Sequence, residues 1–183
     1  MEAIIKFSPE EIQIVTDSTV MAEELVSNHY KMSAGQWLHP MYDVKTLADL
    51  EPGEVIHGPF AQIIRYEAKK QDTTLGSSTY DFYKICIQDH SILSTIRQNP
   101  EISLFPFTLY IITHELVHIV RFGKFLQNFT ATQQETMIEE KRVHDTTHDI
   151  LRNVQIKGIS AVFRFYEKWR LPIEELQNTK NPQ

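Results

Sequence analysis

The chain has 183 residues, of which 42% are hydrophobic and 23% charged, with a net charge of −6. That length suits one domain, residues 1–183, with a sizeable core. The acidic balance and the absence of a basic run interleaved with aromatics exclude a general nucleic-acid binder. The lone cysteine, Cys86, excludes an internal disulfide and suits a reducing compartment.

Taken in order, Met1 to Lys6 lacks the charged start and long apolar core of a signal peptide. A soluble, cytoplasmic protein with no membrane partner is therefore the expectation. Ser8-Pro9-Glu10-Glu11 marks a helix start, with Ser8 as N-cap, Pro9 in the first turn and Glu11 closing a capping box. Apolar spacing at Ile12, Val15, Met21 and Leu25 carries this helix to about His29. Residues 31–58 are punctuated by Gly and Pro and read as irregular, with a short helix at 44–50.

Residues 60–67 and 80–88 are rich in β-branched and aromatic side chains and read as two strands of an antiparallel hairpin, joined by the polar stretch 69–78. Cys86 falls in the second strand and reads as a buried structural thiol. Asp89 is placed to cap a helix at 90–98, and Asn99-Pro100-Glu101 to restart helical structure that runs to Gly123. The apolar stretch from Leu104 to Ile112 is too short to span a bilayer and contains Pro106. A long helix is expected over 131–157, ended by Gly158, and an amphipathic one over 160–169, broken by Pro172. The aromatics of that last helix read as core packing groups. The sum is an α+β fold: mostly helical, with a small antiparallel sheet preceding the helix at 104–123.

That helix carries His114-Glu115-Leu116-Val117-His118. Residues four apart share a helix face, so the two imidazoles can aim at one point. Glu115 is turned about a hundred degrees from His114 and can reach a metal-bound water without being a ligand. Two nitrogens on a metal and a carboxylate to take a proton from its water are what a zinc hydrolase needs. With eight histidines in the chain, a chance HExxH is a real alternative. The apolar surroundings weigh against it, because buried ionisable groups must be paired or bind metal.

A catalytic zinc expects a third protein ligand. At a hundred degrees per residue on the later helix, Val143, Thr147, Ile150, Leu151 and Val154 define an apolar arc that contains Glu140. Glu139 sits on one edge of the arc, His144 on the other, and His148 slightly beyond. Glu140 is the preferred third ligand. His144 or His148 could replace it, hydrogen-bond a substrate oxyanion or orient a ligand, or either histidine, like the acidic pair Glu139–Glu140, could serve only as ordinary structure.

His114-Glu115-Leu116-Val117-His118, followed on a later helix by Glu140, resembles the gluzincin group of zinc metallopeptidases over residues 80–155. The resemblance implies zinc held by His114, His118 and Glu140, Glu115 as general base, a peptide or protein substrate, and an edge strand at 80–88 able to pair with it. Many such enzymes carry an aspartate four residues after the ligand glutamate; here that position is His144, followed by Asp145. Two other readings compete. Glu115-x-x-His118 and Asp145-x-x-His148, with Glu23 or Glu24, could build a carboxylate-bridged di-iron bundle. An inactive, metal-stabilised interaction protein is the other.

Overall fold

The computed structural model describes residues 4–33, 41–69, 79–124 and 131–178. Helix α1 spans Pro9–Tyr30. Ser8 caps it as the sequence implies: its Oγ accepts from the Glu11 N–H at 3.2 Å and its own N–H donates to Glu11 Oε2 at 2.7 Å. Strand β1 (Met41–Lys45) leads into two single-turn 3-10 segments, Leu47–Asp49 and Pro52–Glu54. Strands β2 (Ala61–Lys69) and β3 (Thr79–Ile87) follow, then α2 (Asp89–Gln98), α3 (Leu104–Gly123), α4 (Gln133–Leu151), α5 (Ile159–Phe165) and α6 (Ile173–Asn178).

The fold is mostly helical α+β, as the sequence implies, but the sheet is mixed and not antiparallel throughout. β3 lies in the centre, antiparallel to β2 (Ala61 opposite Ile87) and parallel to β1 (Val44 opposite Ile85). β1 lies inside the stretch read as irregular, and only a 3-10 turn at 47–49 stands where a helix was expected. Because β3 is flanked on both sides, it cannot be the edge strand; β1 and β2 are the edges. The expected loop at 69–78 lies, from residue 70 on, outside the described residues.

Helix α3 is the beam of the fold. Every residue from Pro106 to Arg121 is buried except Glu115. α1 and α4 pack along it, and the core around it takes Tyr83, Ile85 and Ile87 from β3. Each large apolar side chain so buried contributes about 1.5–3 kcal/mol. Where α1 meets α3, the hydroxyls of Ser18 and Thr108 bond each other at 3.0 Å, which satisfies two polar groups in a dry contact.

Three other expectations are corrected. Asp89 does not cap α2. Its buried carboxylate accepts the N–H groups of Phe7 (2.9 Å) and Leu47 (3.0 Å), so it ties the start of the chain to the turn after β1. α4 ends at Leu151 and does not run to 157. The Asn153 amide donates to the Asp149 carbonyl at 2.9 Å and the Val154 N–H turns back to Leu151, so local bonds compete with helix continuation. Gly158 instead opens α5 at φ 84°, where a Cβ would meet Ser103 Oγ at 3.1 Å. The helix expected over 160–169 is divided into α5 and a 3-10 turn at Glu167–Arg170.

Candidate metal centre

The apolar helix α3 carries His114 and His118 one turn apart, and both are buried, 8% and 5% exposed. Their Nε2 atoms lie 3.2 Å from each other. α4 packs against α3 and brings Glu140 to the same point: Oε2 lies 3.2 Å from His114 Nε2, and Oε1 lies 2.9 Å from His118 Nε2. Two imidazole nitrogens and the two carboxylate oxygens thus converge, and one donor atom from each residue lies within 4.8 Å of the others. A tetrahedral zinc with bonds of about 2.0–2.1 Å separates its donors by about 3.3 Å. The nitrogen–nitrogen and nitrogen–oxygen separations of 2.9–3.2 Å are near that spacing, and the donor chemistry of two imidazoles and one carboxylate suits zinc. Among the described residues, His114, His118 and Glu140 are the group of three or more His, Cys, Asp or Glu donors that converges in this way.

The electrostatics agree. Burial pushes the Glu140 carboxyl pKa upward, yet hydrogen bonds and charge from His114 and His118 outweigh it and hold the group well below the ordinary carboxylate range. Glu115 stands apart from the converging donors and lines the adjacent cleft. Burial raises its carboxyl pKa, against the lowering effect of the two histidines.

The cleft has a volume of about 350 Å³. Its lining is apolar at Phe60, Ala61 and Ile111 and polar at His114, His118, Glu140, Glu115 and His144, with Tyr166 beside them. His144 is 6% exposed and sits on α4 one turn after Glu140. Its Nε2 is 4.0 Å from Glu140 Oε2, outside the group of three residues. Its Nδ1 bonds the Tyr110 hydroxyl at 2.8 Å, and its ring stacks on Trp169 at 4.7 Å. Burial, with the charge of His114, pushes its pKa down to about 2, so the ring is neutral.

No family model, curated protein or solved structure matches the chain. The gluzincin resemblance accordingly rests on the residues themselves. His114, His118 and Glu140 come together, with Glu115 at their side. His148 does not join them: it is half-buried against Phe163 at 4.4 Å and lines no part of the cleft. Glu139 faces another way, pairing with Arg121 and with Arg142 at 3.0 Å. The residues proposed for a second, iron-binding set have other partners. Glu23 accepts from the Tyr42 hydroxyl, Asp145 pairs with Lys141 at 2.9 Å, and Glu24 is exposed.

The sequence reading missed the aromatic surround. Tyr110 lies four residues before His114, on the face that carries both histidines, so extending that face by one turn would have found it. Of the aromatics read as packing groups, Phe165 does pack, edge-on to Phe107 at 5.5 Å. Tyr166 and Trp169 do more: the first lines the cleft and the second holds His144.

Proposed function

We propose that the chain is a zinc metallopeptidase, with His114, His118 and Glu140 as the protein ligands and Glu115 as the general base. The observation that carries this reading is the convergence of His114, His118 and Glu140 donor atoms beside Glu115 in one cleft. Bound there, zinc supplies Lewis acidity, which polarises a scissile carbonyl and makes a water acidic near neutral pH. Glu115 would accept a proton from the attacking water and hand it to the leaving nitrogen as the C–N bond breaks, and the water's second proton would pass from the new carboxyl to the amine, giving a carboxylate and an ammonium. The outer edge of β2 offers backbone hydrogen bonds to an extended peptide, and its first residue, Ala61, lines the cleft with the preceding Phe60, so we assign the substrate-pairing role to β2 and not to β3.

Metal analysis of protein purified without a histidine tag, and turnover of a peptide library by the parent and by Glu115→Gln, test the reading together. One zinc per chain in both proteins, with turnover in the parent lost by about 10²–10⁴-fold in Glu115→Gln, is the expected result. Two irons per chain would sink it in favour of the di-iron bundle. Zinc without turnover in the parent would favour a metal-stabilised interaction protein.

A further inference from the structure

The apolar part of the cleft is held in place by bonds made elsewhere in the fold. Gln88, just after β3, is fully buried, and its side-chain amide is engaged with the segment 54–60 that leads into β2. Its Oε1 accepts from the Ile56 N–H at 3.0 Å, and its Nε2 donates to the Glu54 carbonyl at 3.0 Å. Its own backbone N–H donates to the Phe60 carbonyl at 2.8 Å. The Phe60 ring packs edge-on to the fully buried Phe107 at 5.0 Å. Backbone and ring of Phe60 are thus both fixed at the cleft, and the buried polar groups of this segment need nothing from a ligand.

Ala61 follows, and it is small where its neighbours are large. It stands opposite Ile87, as Ile63 on the same face of β2 stands opposite Ile85. Ile85 and Ile87 are completely buried, whereas Ala61 borders the cleft. Ile111 completes this lining from α3. It lies four residues before Glu115, so the two share a helix face and stand about 6 Å apart along the axis. The side chains of Phe60, Ala61 and Ile111 offer only carbon to an occupant. A charged group set against them would lose water without gaining a partner, and an acidic one would also meet Glu115 and Glu140. An apolar group gains by leaving water.

We infer that Phe60, Ala61 and Ile111 form a subsite for an apolar side chain of the substrate, next to the scissile bond, and that Ala61 sets its depth. The inference rests on the peptidase reading and narrows it to substrates with a residue such as leucine or phenylalanine at that place. The cleft, at about 350 Å³, is at the small end of ligand clefts, so a single side chain is a sizeable part of what it holds. Selectivity therefore follows from this one contact, with the backbone edge of β2 indifferent to sequence.

The test uses zinc-loaded full-length parent, Ala61→Val and Ala61→Leu. Straight-chain alkyl hydroxamates of increasing length probe binding, since the head group chelates zinc and the tail reports the subsite. A peptide library with Ala, Leu, Phe, Asp or Lys on either side of the cleaved bond probes turnover. In the parent, hydroxamate Kd is expected to tighten by about fourfold per added methylene until the subsite is full. Leu and Phe peptides are expected to exceed Asp and Lys peptides in kcat/KM by about 10–200-fold. Ala61→Val should end the gain at a shorter tail and Ala61→Leu at a shorter one still, with the Leu-to-Ala selectivity ratio lowered by about tenfold. Chelator competition should give the same zinc Kd in all three proteins; if Ala61→Leu does not fold, Ala61→Val makes the comparison at a smaller shift. Binding independent of tail length in the parent, the parent's length dependence in zinc-loaded variants, or a preference for Asp or Lys would each overturn the inference. A parent that binds no zinc overturns the metal-centre reading and the inference together. Tail-dependent binding that Ala61 variants shorten, without turnover of any peptide, upholds the subsite and sinks the peptidase reading alone.

Discussion

Glu139 and Glu140 are neighbours on α4, and both reach α3, yet they end in opposite surroundings. Glu139 is 8% exposed and meets Arg121, three residues beyond His118, with Arg142 adding a second contact at 3.0 Å. Its charge is answered by permanent cations, so the contact is complete as it stands. Glu140 meets two imidazoles, His114 Nε2 at 3.2 Å and His118 Nε2 at 2.9 Å, whose charge depends on protonation. The pair teaches that a buried carboxylate between helices is a fastener or a ligand according to what faces it. Two arginines close the first contact, and two histidine nitrogens make the second a candidate metal site.

The sharpest way to break this contrast is to delete each glutamate in turn. Glu140→Ala is expected to lose zinc affinity by several orders of magnitude, while Glu139→Ala keeps it; equal losses, measured by chelator competition, would merge the two sites into one network. Next in size is Arg121→Ala. It strands the Glu139 carboxylate with only the exposed Arg142 beside it, and chemical denaturation should show a loss of about 3–5 kcal/mol with zinc stoichiometry retained. Smaller again is the effect of metal on stability. Free zinc at about a hundred times its Kd should raise the parent's unfolding free energy by about 2.7 kcal/mol, and chelation should reverse this, whereas Glu140→Ala should show no response.

The smallest effect concerns a buried acid with no cation to answer it fully. Burial pushes the Cys86 thiol pKa from 9.0 up to about 11, the charge of Glu54 adding to the rise and that of Lys84 opposing it. The folded chain holds this proton more tightly than the unfolded chain. Its contribution to stability is therefore complete below pH 9 and declines as pH rises through 11. Denaturation midpoints across that range, in the parent against Cys86→Ala, should diverge from each other; parallel curves would show that the thiol ionises freely.

The site was more legible in the sequence than the sheet around it. His114, Glu115 and His118 declare themselves within five residues, and Glu140 follows from rotating a single helix. These are local relations. The strand β1 is five residues in a Gly- and Pro-punctuated stretch, and its partner β3 lies some forty residues away, so no local pattern announces it. The order β1-β3-β2, and with it the identity of the edge strand, depends on that distant pairing. Asp89 shows the same limit: a capping residue by position, it serves two N–H groups 82 and 42 residues away. One signal was legible and unused. Thr132-Gln133-Gln134-Glu135 is a capping box that fixes the start of α4, with the Thr132 N–H bonding Glu135 Oε2 at 2.9 Å.

The burial of α3 has a consequence in time. Local openings of a protein range from nearly free fraying at ends and loops to the full cost of global unfolding in the core. The two histidines lie inside the most enclosed helix, more than one turn from either end, so their backbone amides should exchange with solvent only when the whole fold opens. A metal held there would leave through the cleft, by ligand exchange, and not by unwinding of its helix. Its residence and the lifetime of the native state are thus separate clocks, and hydrogen exchange read beside zinc release would time each one.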